Sequence, residues 1–535
     1  MPSPHEETRA LLLQIHREVL ERPEVGPDDN FFDLGGNSLL AFRVIKLTAE
    51  RLGARLSAQA VFTAATIGEL AQRLTPVDRA PAAPVGVGAP RASMAQEWAV
   101  LSAVHDPDAP TLQFHAVYRV RGPLDTGALR AALQAVLDRH PALRTVLRVD
   151  GETVRSHLLD ATAEPAVEEL GWLPEPSRVT EALLLLDHEV RRPFDRTRAP
   201  LLRAHLVRLA DRDQLLALVL DHVAADGWSL DLLVADLGAA YRAALTGEPA
   251  ELTESRPYQR WAAEQWERHR TGRLDEVAGY WKGRLGADPS AFAVRLPGYR
   301  AGRGLSDPAS LRLRVPAAAV SALEGACREL RSTPYCVSMA ALKALIARQT
   351  GSPRVTVLTT AANRLEPEYQ DTVGWYANGV FPTTDVELGL SFRRLVERVR
   401  GTALAATAHG DLPAWYVRRR MWPSVPAGFR KDPGVYFMFN ELWGRALRFD
   451  GAEVEPVPLE ETADSPGLHM WLLQDGPAVD LTVLHYRSEY PESYVREFAD
   501  DFLAAVGALA AAPDLPVGEV LDSLGHRPPV IPSES

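Results

Sequence analysis

The sequence predicts two unlike units in one chain, a small all-α bundle followed by a larger mixed α/β unit. Three observations predict it. Up to about Leu74 the apolar residues recur at helical spacing. Between residues 76 and 92, Pro76, Pro81, Pro84 and Pro90 interrupt alanines, glycines and valines, a composition that forms no helix, buries no core and reads as a semi-extended linker. Beyond it, short apolar or alternating runs at 215–220, 355–358 and 435–439 are interspersed with helical patterns such as Ser391 to Thr402 and Pro491 to Leu509.

In the first unit a helix carrying Leu12, Ile15, Val19 and Leu20 on one side ends at Pro23 and Gly26-Pro27. Then comes Asp29-Asn30-Phe31-Phe32-Asp33-Leu34-Gly35-Gly36-Asn37-Ser38, followed by a helix with Leu40, Val44 and Leu47 on one side. Two glycines let the chain turn and expose the Ser38 hydroxyl at the helix start, either as a plain N-cap or as a group open to modification.

In the second unit the unbroken run Leu215 to Leu220 suits a strand covered on both faces. Leu230, Leu233, Leu237 and Tyr241 fall at helical spacing after it, with Asp226 and Ser229 as first-turn or capping residues. His222 therefore leaves a buried strand just before a Gly-assisted turn. Two readings fit it there: a general base on a rigid element, or a core histidine hydrogen-bonded to backbone.

Composition narrows the function. A 46% apolar and 24% charged chain can build substantial cores. A net charge of -12 and a pI near 5.7 argue against nucleic acid or an anionic membrane surface as the main partner. No run approaches the ~18 apolar residues of a membrane span, and the polar, acidic start is unlike a signal, so a cytoplasmic protein is expected. Cys327 and Cys336 lie in one Ala-rich helical region with no ligand-like neighbours and read as buried free thiols, and no metal site is expected. The absence of a Gly-rich phosphate loop and of a Gly-x-Ser-x-Gly elbow excludes an obvious nucleotide-activating or thioesterase unit.

His-x-x-x-Asp-Gly after a strand resembles the signature of the chloramphenicol-acetyltransferase-like superfamily, and Asp221 to Ser229 resembles its version in condensation domains of nonribosomal peptide synthetases. Its companions stand in the family's order: Ser93-Met94-Ala95-Gln96-Glu97-Trp98, Arg139-His140-Pro141-Ala142-Leu143-Arg144-Thr145, Pro193-Phe194-Asp195, Pro200-Leu201-Leu202-Arg203 and Tyr280-Trp281. Ala362-Asn363-Arg364, Gly374-Trp375-Tyr376-Ala377-Asn378 and His409-Gly410-Asp411-Leu412-Pro413 follow. The run ending at Ser38 resembles the peptidyl carrier protein motif, whose serine is esterified by phosphopantetheine.

The resemblance implies a peptidyl carrier over 1–75, a linker over 76–92, condensation-domain lobes over 93–265 and 266–522, and a tail over 523–535. The lobes would form a V around a tunnel that admits a carrier arm from each side. An acyltransferase-type enzyme follows, acting in secondary metabolism such as antibiotic or siderophore biosynthesis. The donor thioester would sit on 4'-phosphopantetheine covalently held at Ser38, and the acceptor amine on a downstream carrier protein. A phosphopantetheinyl transferase and an adenylation domain, in cis or in trans, are the implied partners. His222 would accept a proton from the attacking amine or orient it. Asp226 would turn away from the tunnel and pair with Arg144, and Gly227 would let the turn close beside the reacting carbonyl. His409 and Asp411 would serve lobe packing, and tryptophans such as Trp261, Trp266 and Trp281 would anchor cores.

One position departs from the family. A second histidine commonly precedes the catalytic one, and here Asp221 stands instead. Asp221, Asp226 and Ser229 also spell the Asp-x-x-x-x-Asp-x-x-Ser pattern of heterocyclisation relatives, which generally lack the intervening histidine. Heterocyclisation and a catalytically silent recruitment domain are the alternatives. The intact His222, Asp226 and Gly227 count against the silent domain, and Trp228 after Gly227 counts against epimerisation.

Overall fold

The computed structural model describes residues 4–525 except 32, 33, 35, 37, 58, 59, 62, 63, 77–88, 106–112, 251, 253, 254, 287–292, 302–304, 365, 423–433, 442–446 and 464. In the first unit, helices Pro4–Val19 and Ser38–Leu52 pack through Leu12, Ile15 and Val19 against Ala41, Val44 and Ile45, with Phe31 from the loop between them. Both sets follow helical spacing, so each helix buries one stripe. Gly53, at φ 58°, follows the second helix in the left-handed conformation that stops it.

From residue 93 onward the described residues build two larger sheets, of five and four strands, with short two-stranded pairings beside them. The first runs in the order Glu453–Pro456, Gln113–Arg121, Asp213–Asp221, Leu202–Ala210, Ala166–Glu169, antiparallel except for its last pair. Its central strand Asp213–Asp221 is buried from Gln214 onward, in keeping with the apolar run. Alternation assigns its faces. Leu216, Leu218 and Leu220 meet helices Thr126–Arg139 and Gly227–Thr246, while Leu215 and Ala217 meet helix Glu175–Arg191.

The second sheet runs Gly434–Glu441, Gly467–Asp475, Ala478–Tyr486, Pro308–Arg314, with only its first pair parallel. Val337 and Leu342 of helix Pro334–Thr350 and Phe498 and Phe502 of helix Glu492–Ala511 share a core with Phe437, Met470 and Leu481 of this sheet. The single helical region expected around Cys327 and Cys336 is two helices, Ala317–Glu329 and Pro334–Thr350. Arg331 takes φ 48° between them, and Thr333 caps the second by accepting from Cys336 N at 3.2 Å. Both cysteines are free and buried, and burial pushes both thiols up. The strand read over 355–358 is Arg354–Thr356, paired with Thr383–Asp385.

Two late segments cross to the first sheet and bring distant residues to its end. Glu453–Pro456 pairs with Gln113–Arg121, and Tyr369, Val373, Trp375 and Tyr376 join the core beneath the sheet. His409 stacks on Tyr280 at 3.7 Å and its carbonyl accepts from Trp281 Nε1 at 3.0 Å, a packing contact among residues of the second half. Trp261 and Trp281 are buried. Among the described residues no helix is long and apolar enough to cross a membrane.

Candidate active site

The central strand of the first sheet delivers the site. At its end, Asp221 places one carboxylate oxygen 2.8 Å from Arg196 Nε and accepts from Val223 N at 3.0 Å with the other. Arg196 also donates to Ala99 O at 3.1 Å. Asp221 is thus neutralised inside the fold, its acceptors taken by a cation and by the turn itself.

His222 follows, half-buried, with Nδ1 2.9 Å from Ala225 O. A carbonyl only accepts, so Nδ1 carries the proton and Nε2 is left with its lone pair. The imidazole is held between Trp375, centroids 4.1 Å apart, and Phe114, edge-on at 4.5 Å. Burial pushes its pKa below the ordinary histidine value, and the nearby Asp226 charge and the Ala225 carbonyl only partly oppose that. The ring is therefore neutral near pH 7 and able to accept a proton or a hydrogen bond at Nε2. The Ser93 to Trp98 motif braces the same turn. Gln96 Nε2 donates to Val223 O at 2.8 Å, while Ser93 and Gln96 close a reciprocal cap on helix Met94–His105.

Asp226 caps helix Gly227–Thr246, accepting from Ser229 N at 2.8 Å and lying 2.7 Å from Ser229 Oγ. Arg364 Nη2 donates to the same oxygen at 2.9 Å, and the other oxygen accepts from Tyr376 N at 3.0 Å and Ala377 N at 3.1 Å. Burial opposes this charge, but the Arg364 guanidinium and the Ser229 hydrogen bonds outweigh it and hold the carboxyl below the usual carboxylate range. Gly227 opens the helix immediately after the capping residue.

The Asp226–Arg144 pairing expected from the resemblance is therefore corrected. Arg144 follows the C-terminal end of helix Thr126–Arg139 and satisfies its surroundings there, donating to Leu137 O at 3.0 Å and Leu159 O at 3.4 Å, with the exposed Asp160 at 3.7 Å. Arg364 is fully buried and needs a counter-charge, which Asp226 provides from the opposite segment. Sequence reasoning quoted Arg364 only as part of a motif and gave Trp375 and Phe114 no role. Glu366, Glu368 and Asp371 follow Arg364 closely in the sequence, so charge pattern alone does not single out Asp226 as its partner.

Ser38 is the first residue of helix Ser38–Leu52. Its side chain, and Phe32, Asp33, Gly35 and Asn37 of the motif, lie outside the described residues. The preceding loop is closed by Gly36 N donating to Phe31 O at 3.0 Å, and a Cβ on Gly36 would collide with the Phe31 ring, so only glycine fits that approach. A phosphodiester esterified at Ser38 would meet the positive end of the helix, so the position suits phosphopantetheine. That group supplies a thiol on which an acyl chain is held as a thioester.

Residues 93–522 match the profile of the Condensation domain, and residues 10–74 match that of the Phosphopantetheine attachment site. Phosphinothricin tripeptide synthetase PhsC of Streptomyces viridochromogenes is 35% identical over 311 residues, 58% of this chain and 28% of PhsC, so the chain spans little more than a quarter of that relative. Among solved structures, the X-domain in complex with OxyB from teicoplanin biosynthesis shares the fold with a TM-score of 0.70 at 20% identity, over 82% of this chain and 97% of that one. SgcC5 of Streptomyces globisporus, determined with (R)-(-)-1-(2-naphthyl)-1,2-ethanediol and sucrose, is 27% identical with a TM-score of 0.63, over 76% of this chain and 94% of its own.

Proposed function

Because the chain belongs to the condensation-domain family of nonribosomal peptide synthetases and carries a phosphopantetheine attachment domain ahead of it, we propose that Ser38 bears the acyl donor and that His222 serves its transfer to an amine on a downstream carrier. The observation that carries this reading is the state of His222: neutral, oriented through Nδ1 by Ala225 O, and left with Nε2 as an acceptor.

An α-amine has an ordinary pKa of about 7.7 to 8.0, so at neutral pH His222 is the better proton acceptor only once the amine nitrogen has begun to bond to carbon and turned acidic. Its work is to hold the neutral amine in line and take the proton late in the attack. A base so placed is worth ~10² to 10⁴ in rate, less than the ~7 to 11 kcal/mol available from tethering both reactants. Asp226 and Arg364 act as positioning residues for the turn. The Asp221 carboxylate, engaged by Arg196 and Val223 N, supports amide formation over heterocyclisation, and the free Nε2 supports catalysis over a silent recruiting role.

The test loads Ser38 with acyl-pantetheines through a phosphopantetheinyl transferase and follows transfer to a panel of acceptors by intact-mass spectrometry. Alcohols join amines in the panel because the SgcC5 structure holds an aromatic diol. His222→Ala should lose ~10² to 10⁴ in transfer with loading intact, whereas Asp221→Ala should melt lower, because it strands Arg196, yet keep most activity per folded molecule. Full turnover by His222→Ala, or a dehydrated product with cysteinyl acceptors lost only in Asp221→Ala, would overturn the reading.

A further inference from the structure

The carrier unit is seated on the condensation unit, and the seat adjoins the His222 turn. Helix Ser38–Leu52 lies against the single turn Pro367–Tyr369. From that helix Lys46 Nζ reaches both oxygens of Asp371 at 2.6 Å, with Glu50 of its own helix at 3.9 Å. Trp228, second residue of the helix that follows the His222 turn, packs its half-buried ring against the carrier core and donates from Nε1 to Gln370 O at 2.9 Å.

Four consecutive residues thus look both ways. Asp371 holds Lys46, and Gln370 holds Trp228. Tyr369 O and Thr372 O accept from Arg364 Nη1 at 2.8 and 2.6 Å, and Gln370 Nε2 donates to Arg364 O at 3.3 Å. Arg364 in turn grips Asp226. Carrier, turn, Arg364 and Asp226 form one unbroken series of contacts ending four residues from His222.

We propose that Lys46 and Trp228 form the docking contact through which this carrier presents its donor, and that the Lys46–Asp371 pair discriminates this carrier from others while docking steadies the Arg364–Asp226 pair. This rests on the reading of Ser38 as the donor site. The Trp228 ring supplies the apolar area. The ion pair, one-quarter and two-fifths exposed, adds little affinity and mainly sets register and rejects like charge. A weak contact suffices for a carrier tethered to its target, and it also permits release. Lys46 stands eight residues into the helix from Ser38, about 12 Å along its axis, so the contact grips the carrier about two helical turns from its attachment point.

The experiment uses the full chain loaded at Ser38, with single-turnover transfer to a saturating free amine. Lys46→Glu and Asp371→Lys should each slow transfer roughly five- to tenfold by placing like charges face to face, with transferase loading unchanged. The combined Lys46→Glu/Asp371→Lys variant should recover most of that loss. Unaltered single variants, or a double variant no faster than its slower parent, would refute the docking pair. A readout independent of turnover is disulfide formation in Lys46→Cys/Asp371→Cys, whose native cysteines are buried. Rapid cross-linking with transfer retained supports the contact as productive; no cross-link, or a cross-link that abolishes transfer, overturns it. If wild type transfers to no acceptor while the cross-link forms, the donor reading fails and the contact stands.

Discussion

A histidine enclosed in an apolar core is a liability at low pH, and His16 in the carrier unit is one. It has no exposed surface, Nδ1 lies 2.8 Å from Leu12 O, and the ring meets Phe31 edge-on at 5.7 Å. Burial lowers its pKa from 6.5 to about 4, with the Leu12 carbonyl opposing only in part. Between those values the unfolded chain binds a proton that the folded carrier refuses. Stability therefore falls as pH drops from 6.5 toward 4, by about 3 kcal/mol at the lower end. Thermal melts of the carrier transition should show this slope, and His16→Leu should flatten it; an equal slope in both proteins would show that other groups set the acid limit. The position was legible, since residues 12, 15, 16 and 19 share one helical face, yet periodicity counts only apolar residues and passes over a histidine among them.

At the scale of elements, the helix Gly227–Thr246 begins on a carboxylate with five donors around it, and both Asp226 and Arg364 are buried. Removing one partner strands the other charge, so Asp226→Ala should cost roughly 3 to 5 kcal/mol, and Arg364→Met a similar amount. A double-mutant cycle should give strong coupling between 226 and 364 and none between 226 and 144. Coupling confined to 226 and 144 would contradict the geometry. His222, Asp226 and Gly227 were readable because their motif is contiguous, set between a buried strand and an amphipathic helix. The partner of Asp226 was not, because 138 residues separate it from Arg364 and no local period records such a contact. Element boundaries failed for a related reason. The Ala-rich stretch around Cys327 and Cys336 keeps one helical spacing across a break set by the backbone of Arg331 and the cap at Thr333.

At the scale of the whole molecule, division into an all-α bundle and a mixed α/β unit followed from composition and periodicity, while the crossing of late segments into the first sheet left no trace in either. Strand Gln113–Arg121 takes Glu453–Pro456 as its outer neighbour, and Trp375 from beyond the midpoint closes over His222. A fragment of residues 93–265 should therefore expose an unpaired strand edge and unfilled core. On gel filtration it should self-associate or unfold without cooperativity, whereas residues 93–525 should give a single species; a monomeric, cooperatively melting 93–265 fragment would show that the crossings are dispensable. The same crossing sets a clock. During synthesis the strand at 113–121 leaves the ribosome more than 300 residues before its partner at 453–456, and at ~5 to 20 residues per second it waits roughly 15 to 70 s with one edge open. Nascent chains are most exposed to mispairing in that interval, which makes translation speed between the two strands a determinant of yield.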